Sequence, residues 1–364
     1  MLTHLLFFVL GLGALALGAE SLVRGASKIA LSLGITPLVV GLTIVSVGTS
    51  SPEVAVSVGA VVNGATDIAV GNVVGSNILN VLVVLGVGSL IVPLAVHSQL
   101  IRQEVPIMIG ASFLLMVMIL DGRLSRLDAV VLLVLLVGYV VFLVLQSRAE
   151  TARLREEYAD VVSRRGHWDS HWAVQLLLIL AGLALLLLGA EWMVEAAVAF
   201  ARALGVSDLI IGLTIIAVGT SMPEIAASIM AAVRGERDIA VGNVIGSNTF
   251  NILGCLGVSG LVSRDGLAIP ASVLNFDLWV MLAVALACLP VFIAGREIGR
   301  GKGLMFLAYY AVYVAYLILG AKEHDALDEF SSIMLGFVLP LTIVTLVAML
   351  IRDQRRRGKN DGTA

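Results

Sequence analysis

Residues 41–86 read GLTIVSVGTSSPEVAVSVGAVVNGATDIAVGNVVGSNILNVLVVLG, and residues 212–257 read GLTIIAVGTSMPEIAASIMAAVRGERDIAVGNVIGSNTFNILGCLG. At a constant offset of 171 and without gaps, about 29 of the 46 positions are identical. The likeness continues upstream, where Leu17-Gly18-Ala19-Glu20 lies over Leu188-Gly189-Ala190-Glu191 and Gly34 over Gly205. A match of this length means two copies of one structural unit.

Both copies are apolar. The 364 residues are 59% hydrophobic and 13% charged, against roughly 45–50% and about 25% in an ordinary soluble domain. Mean hydropathy is +1.03 with no polar block long enough for a separate domain, which leaves one integral membrane unit. Aromatics at 6% and the lack of an interior basic run argue against nucleic-acid binding. Cys255 and Cys288 both lie in apolar stretches and read as small packed hydrophobes, not as a disulfide or thiolate metal site. The N-terminal MLTHLLFFVLGLGALALGAE is not read as a signal peptide: no Lys or Arg precedes its apolar stretch, and the pattern recurs inside the chain.

About 20 helical residues cross a hydrocarbon core of about 30 Å. Spans are expected near 4–23, 36–62, 67–92, 104–121 and 127–146, then near 172–201, 207–233, 238–262, 272–294 and 303–321, with an additional one near 330–351. The fold class is therefore an all-α polytopic membrane protein. Its units are a first five-helix repeat over 1–146, a link at 147–171, a second repeat over 172–321, and an additional helix with a basic tail over 322–364. Assigning the 23 Lys and Arg to alternate sides puts 18 on the side of the link and 5 on the other. By the positive-inside rule the N-terminus is outside and the link and C-terminus are cytoplasmic. Trp168 and Trp172 flank the basic link as interface anchors. Five spans per copy is an odd number, so the second copy enters from the opposite face. Inverted repeats of this kind put a binding site near the midplane and let one half rock against the other.

Each copy carries Gly-Thr-Ser-x-Pro-Glu: Gly48, Thr49, Ser50, Pro52, Glu53, and Gly219, Thr220, Ser221, Pro223, Glu224. The glutamates fall mid-span, where an ionised carboxylate costs several kcal/mol and needs a neutralising partner. No Lys or Arg is expected at that depth, so the partner is a bound cation or a proton. Each Pro removes a helical N–H and frees carbonyls one turn back, near Gly48 and Gly219, to join the hydroxyls of Thr49, Ser50, Thr220 and Ser221 as ligands. Tight helix packing through Gly, Ser and Thr is the competing explanation for any one of these residues.

A second motif follows in each copy, with Asp67, Asn72, Ser76, Asn77 and Asn80 answered by Asp238, Asn243, Ser247, Asn248 and Asn251. Residues 72, 76 and 80, and 243, 247 and 251, share a helix face. Asn77 and Asn248 lie off it and read as supports of the broken helix. Asp67 and Asp238 read as helix caps. Glu20 and Glu191 read as interfacial or hinge residues, and Glu195 and Asp277, without repeat partners, as terminal ones. Two carboxylates among hydroxyls, amides and carbonyls, with no His or Cys, suit a hard cation such as calcium, which takes 6 to 8 oxygens. They balance one Ca²⁺ or two Na⁺.

These residues resemble the cation/calcium exchanger superfamily, and within it the prokaryotic sodium/calcium exchanger branch. The resemblance implies a ten-helix core of two inverted repeats, with two long tilted helices sliding over it. It implies that Glu53 and Glu224 are central calcium and sodium ligands, completed by Asn80 and Asn251. Thr49, Ser50, Thr220, Ser221, Ser76 and Ser247, with the carbonyls of Ser46 and Ala217, would be flanking sodium ligands. Many prokaryotic and potassium-dependent relatives have Asp where Asn251 stands, which speaks against potassium co-transport here. The expected function is secondary antiport of Ca²⁺ against Na⁺ in a prokaryotic inner membrane, without enzymatic chemistry or cofactor. Ca²⁺/H⁺ exchange is the alternative, since a buried Glu can take a proton. The dense Ser, Thr and Asn shell favours Na⁺.

Overall fold

The computed structural model describes residues 2–157, 171–206, 211, 214–215 and 217–321. Most of the expected link, Trp168, parts of the expected helix 207–233, the span near 330–351 and the basic tail lie outside these residues. The helices are α1 (Leu2–Leu33), α2 (Pro37–Thr49), α3 (Ser51–Val62), α4 (Thr66–Ile91), α5 (Leu100–Met118) and α6 (Arg126–Glu157). The second half supplies α7 (Trp172–Ala203), α8 (Ala217–Thr220), α9 (Met222–Val233), α10 (Arg237–Val262), α11 (Val273–Ile293) and α12 (Arg300–Ala321). Among the described residues eight helices are long and apolar enough to cross a membrane, or nine when the bent pair α2 and α3 counts as one span.

Two helices outrun their expected bounds. α1 continues past residue 23 to Leu33, so Arg24 and Lys28 lie on the helix and Glu20 lies well inside it. It stops where the sequence says stop, at Gly34 with φ +65, before Thr36 caps the next helix through Val39 N (3.4 Å) and Pro37 starts it. α6 runs to Glu157, so the beginning of the expected link at 147–171 is helical. Nothing in Gln-Ser-Arg-Ala-Glu-Thr-Ala-Arg-Leu-Arg-Glu-Glu breaks a helix, and good helix formers carry it on.

Four two-residue strands establish the inversion. β1 (Leu94–Ala95) follows α4 and β2 (Arg123–Leu124) follows α5; their counterparts β3 (Leu267–Ala268) and β4 (Glu297–Ile298) follow α10 and α11. β1 pairs antiparallel with β4, and β2 with β3. Equivalent strands therefore lie at opposite ends of the bundle, as two copies inserted in opposite senses require.

α1 and α7 lie antiparallel along each other. Gly11 faces Gly189 and Gly18 faces Gly182; a Cβ on Gly18 would come within 2.8 Å of the Gly182 carbonyl oxygen, and one on Gly182 within 2.6 Å of Leu22 N. In a bilayer, where lipid tails are as apolar as Leu, such close approach is what drives association. α4 and α10 form the centre, and α10 is buried along nearly all its length. The fold is an all-α polytopic one of two inverted five-helix repeats.

Candidate functional site

The site is made at two breaks. α2 ends at Thr49, the chain bends by 42°, and Ser50 takes φ −83, ψ 8 before α3 restarts at Ser51. Ser221, at φ −90, ψ 8, does the same between α8 and α9. Pro52 and Pro223 occupy the first turn of the new helix, where a missing N–H costs nothing. Glu53 and Glu224 thus stand in a first helical turn, where uncommitted N–H groups and the helix dipole favour a carboxylate. The Gly48 carbonyl, freed by Pro52 as expected, accepts the Ser51 hydroxyl at 2.6 Å. The Ser46 carbonyl also has partners, Ser50 N at 3.0 Å and Thr49 Oγ1 at 3.4 Å. Met222 stands where Ser51 does and offers no hydroxyl. Ala217 begins α8.

The two breaks meet in the interior. Glu53, Glu224, Ser46, Thr49, Ser50, Asn80, Ser221, Ser247 and Asn251 are all 0% exposed, and Ser76 is nearly so. Thr220 is half-buried. Each carboxylate takes a hydroxyl from the other copy: Ser50 Oγ donates to Glu224 Oε1 at 2.8 Å and Ser221 Oγ to Glu53 Oε1 at 3.1 Å. Ser76 Oγ lies 3.2 Å from Glu53 Oε1 and 3.0 Å from Ser221 Oγ. Asn251 Nδ2 reaches Ser76 Oγ (3.3 Å) and Asn77 Oδ1 (3.1 Å). Glu53 Oε2, Glu224 Oε2, Asn80 Oδ1, Asn251 Oδ1 and Ser247 Oγ are buried with no hydrogen-bond partner in the protein. Buried oxygens of this sort normally have partners, and oxygens left without one are of the kind that could hold a hard cation. Among the described residues no three His, Cys, Asp or Glu gather as a metal cluster, so the oxygens are mostly neutral ones.

The second motif frames this centre. Asn72 Nδ2 holds the Glu53 carbonyl (3.2 Å) and Ser57 Oγ (3.0 Å). Its copy Asn243 donates to Ser228 Oγ (3.0 Å) and accepts from Thr49 Oγ1 (3.1 Å). Asn77 and Asn248 exchange bonds across the pseudo-twofold axis, each amide donating to the other's backbone carbonyl at 3.2 and 3.1 Å. Their supporting role is thus carried between the halves. Asn80 and Asn251 open π-helical turns, Asn80–Val84 and Asn251–Cys255. Such turns are rare and frequent at functional sites, and apolar periodicity does not announce them.

Other charges depart from expectation. Asp67 and Asp238 lie in first turns, but the capping positions are Ala65 and Glu236 and make no side-chain cap. Glu20, deep in α1, is gripped by both forks of the Arg234 guanidinium, a pairing that a separation of 214 residues concealed. Glu191 and Glu195 line an open cavity of about 510 Å³ with Leu187, Ala190, Val194, Pro52, Gly219 and Thr220. Asp277 does have a repeat partner. The offset grows to 173 between β1 and β3 and to 174 between the starts of α6 and α12, which matches Glu104 to Asp277 and Tyr139 to Tyr313. Tyr139 Oη donates to Glu104 Oε2 at 2.8 Å and Tyr313 Oη to Asp277 Oδ1 at 2.9 Å. Glu104 also receives Gln99 (3.0 Å) and Gln103 (2.7 Å) and is fully buried. A gapless comparison passes over both pairs. Cys255 and Cys288 are buried free thiols, and Trp172 is exposed at the start of α7.

Two crossed, broken helices sharing a buried oxygen-rich centre define an inverted-repeat cation transporter. The family model for the sodium/calcium exchanger protein matches residues 3–145 and 174–319, and the chain belongs to that family, in its prokaryotic branch. It is 40% identical over 330 residues to the putative antiporter CaxA of Alkalimonas amylolytica, covering 88% of this chain and 100% of that one. It is 36% identical to the inner membrane protein YrbG of Escherichia coli, over 87% and 97% of the two chains. The sodium/calcium exchanger MaX1 of Methanosarcina acetivorans is 33% identical over 86% of this chain and 98% of its own. Among solved structures, the sodium-calcium exchanger NCX_Mj superposes with a TM-score of 0.73 at 32% identity, over 86% of this chain and 98% of that chain. The chain is a membrane-embedded cation/calcium antiporter, a transporter in a family of transporters.

Proposed function

We propose that the chain exchanges Ca²⁺ against Na⁺ by alternating access at the centre between Glu53 and Glu224. The observation that supports this reading is the set of buried, unpartnered oxygens on Glu53, Asn80, Glu224, Ser247 and Asn251, drawn from both copies. Glu53, Glu224, Asn80 and Asn251 bind the central ion. Thr49, Ser50, Ser76, Thr220, Ser221 and Ser247, with the carbonyls of Ser46 and Ala217, complete flanking Na⁺ positions. Two carboxylates balance one Ca²⁺ or two Na⁺, so one frame serves both ions in turn. With three Na⁺ against one Ca²⁺ the exchange moves one charge, and 100 mV is worth about 2.3 kcal/mol on it, roughly fiftyfold in flux ratio. An inside-negative potential then drives Na⁺ in and Ca²⁺ out.

The repeats over 1–146 and 172–321 form the core, over which the long helices α1 and α7 slide, and the N-terminus is outside, with the link and tail cytoplasmic. The 18 to 5 distribution of basic residues supports this orientation. A thiol at Ser163→Cys is expected to react from the cytoplasmic side; labelling from outside intact cells would reverse the topology.

The ion assignment is tested by radioactive calcium flux into vesicles holding the purified chain. An outward Na⁺ gradient is expected to drive uptake, a proton gradient alone is not, and a clamped potential is expected to change the rate. Uptake driven by the proton gradient without Na⁺ would replace Na⁺ with H⁺ as the coupling ion.

A further inference from the structure

The two mouths of the centre are related by the repeat, and they are not alike. On one, α7 presents Leu187, Ala190, Glu191, Val194 and Glu195 to the open cavity, which reaches Pro52 and Thr220 beside the two breaks. Several counterparts on the other mouth are closed in: Val23 is 1% exposed where Val194 is half-buried, Thr49 0% where Thr220 is half-buried, and Pro223 is buried where Pro52 is not. α1 lies along α9 on the closed side, whereas α7 and α3 make no comparable contact on the open one. The closed mouth is also where Arg234, just past the end of α9, forks onto Glu20 of α1. The repeat places Glu191 where Glu20 is and Asn63 where Arg234 is. Asn63 instead turns its amide onto the Gly59 carbonyl at 2.8 Å.

We infer that the Glu20–Arg234 pair is a latch that holds the α1–α9 mouth shut, and that its one-sided presence sets which mouth of the exchanger rests open. The inference rests on the alternating-access reading above. A shared sequence gives both mouths the same closing surfaces, so their relative free energies are set by the positions where the copies differ. A guanidinium fork on a carboxylate is a charge-assisted contact with fixed geometry. At the other mouth Asn63 carries no charge and bonds within its own helix. In the proposed orientation the latched mouth is cytoplasmic. Glu20 and Arg234 are positioning residues: they touch neither ion nor ligand, and they act through the pose of α1 on α9.

The test reads accessibility and not transport, so it fails or succeeds independently of the ion assignment. Single thiols are placed by Val23→Cys and Val194→Cys in the full chain, with Cys255 and Cys288 replaced by Ala, and are titrated in vesicles with an impermeant maleimide on either side. Val194→Cys is expected to react and Val23→Cys to be protected. Adding Arg234→Asn, which removes the fork from the closed mouth, is expected to raise Val23→Cys labelling about fivefold and to lower that of Val194→Cys, the population shift a partly exposed ion pair can support. The swap Glu20→Arg with Arg234→Glu is expected to restore protection, which a general loosening of the fold would not do. Asn63→Arg, which gives Glu191 the missing partner, is expected to slow Val194→Cys labelling. Unchanged labelling of Val23→Cys in Arg234→Asn, or failure of the swap to restore protection, would overturn the latch.

Discussion

Glu53 and Glu224 occupy equivalent positions in the two halves, yet they are held unequally. Glu53 Oε1 accepts Ser221 and Ser76, while Glu224 Oε1 accepts Ser50, and Ser247, the counterpart of Ser76, has no partner. Asn251 spends its amide on Ser76 and Asn77, whereas neither polar atom of Asn80 is engaged. The Gly48 carbonyl is taken by Ser51, and its copy faces a Met222 that cannot take it. Near-identical motifs therefore build a centre whose two sides differ in how many oxygens already have hydrogen-bond partners. Symmetry of sequence sets which polar side chains surround the two glutamates, yet identical residues such as Ser76 and Ser247, or Asn80 and Asn251, are bonded unequally.

The largest expected effect removes either side's charge. Glu53→Gln and Glu224→Gln should each abolish calcium flux while the chain still folds, because either change leaves a single carboxylate for a divalent ion. Retention of wild-type flux by either variant would break the equivalence of the two halves. A smaller effect separates them. Ser247→Ala removes an uncommitted oxygen, whereas Ser76→Ala removes one already bonded to Glu53. Flux assays should therefore show Ser247→Ala weakening Na⁺ dependence at unchanged thermal stability, and Ser76→Ala lowering stability as well. Equal stability losses would mean that the unequal bonding has no energetic weight.

Asn251→Asp adds a negative charge to the more engaged side. It is expected to admit a further cation and to make potassium affect calcium flux, which the unaltered chain should not show. Potassium dependence already present in the unaltered chain would mean that Asn251 does not exclude that ion. The smallest effect lies at the rim. Tyr139→Phe and Tyr313→Phe each remove one hydroxyl from a matched acid–tyrosine pair, and interhelical hydrogen bonds in membranes average about 0.6 kcal/mol. Tyr139→Phe should cost more, since the Glu104 it abandons is fully buried and Asp277 is only partly so. Thermal unfolding of the detergent-solubilised chain would show the order, with calcium flux unchanged.

The centre of the molecule was legible in the sequence because the repeat there is gapless. Gly-Thr-Ser-x-Pro-Glu disclosed the breaks and the depth of the glutamates from residue types alone, and an odd number of spans disclosed the inversion. The rim was not legible. Insertions of two residues and then one more carry Asp277 and Tyr313 out of register with Glu104 and Tyr139, so their kinship emerges only when β1 and β3 are set against each other. The Glu20–Arg234 grip is long-range and joins non-equivalent positions, which no repeat can signal. π turns begin at Asn80 and Asn251, and apolar periodicity does not announce a turn of that kind.

Whether one oxygen-rich centre serves both ions is tested most directly by equilibrium binding of radioactive calcium to the purified chain, titrated with Na⁺ at fixed potassium. One Ca²⁺ per chain is expected, displaced completely by Na⁺ with a steepness greater than one ion, and lost in both Glu53→Gln and Glu224→Gln. Calcium that stays bound in saturating Na⁺, or that binds either variant as it binds the unaltered chain, would contradict a shared site between the two glutamates.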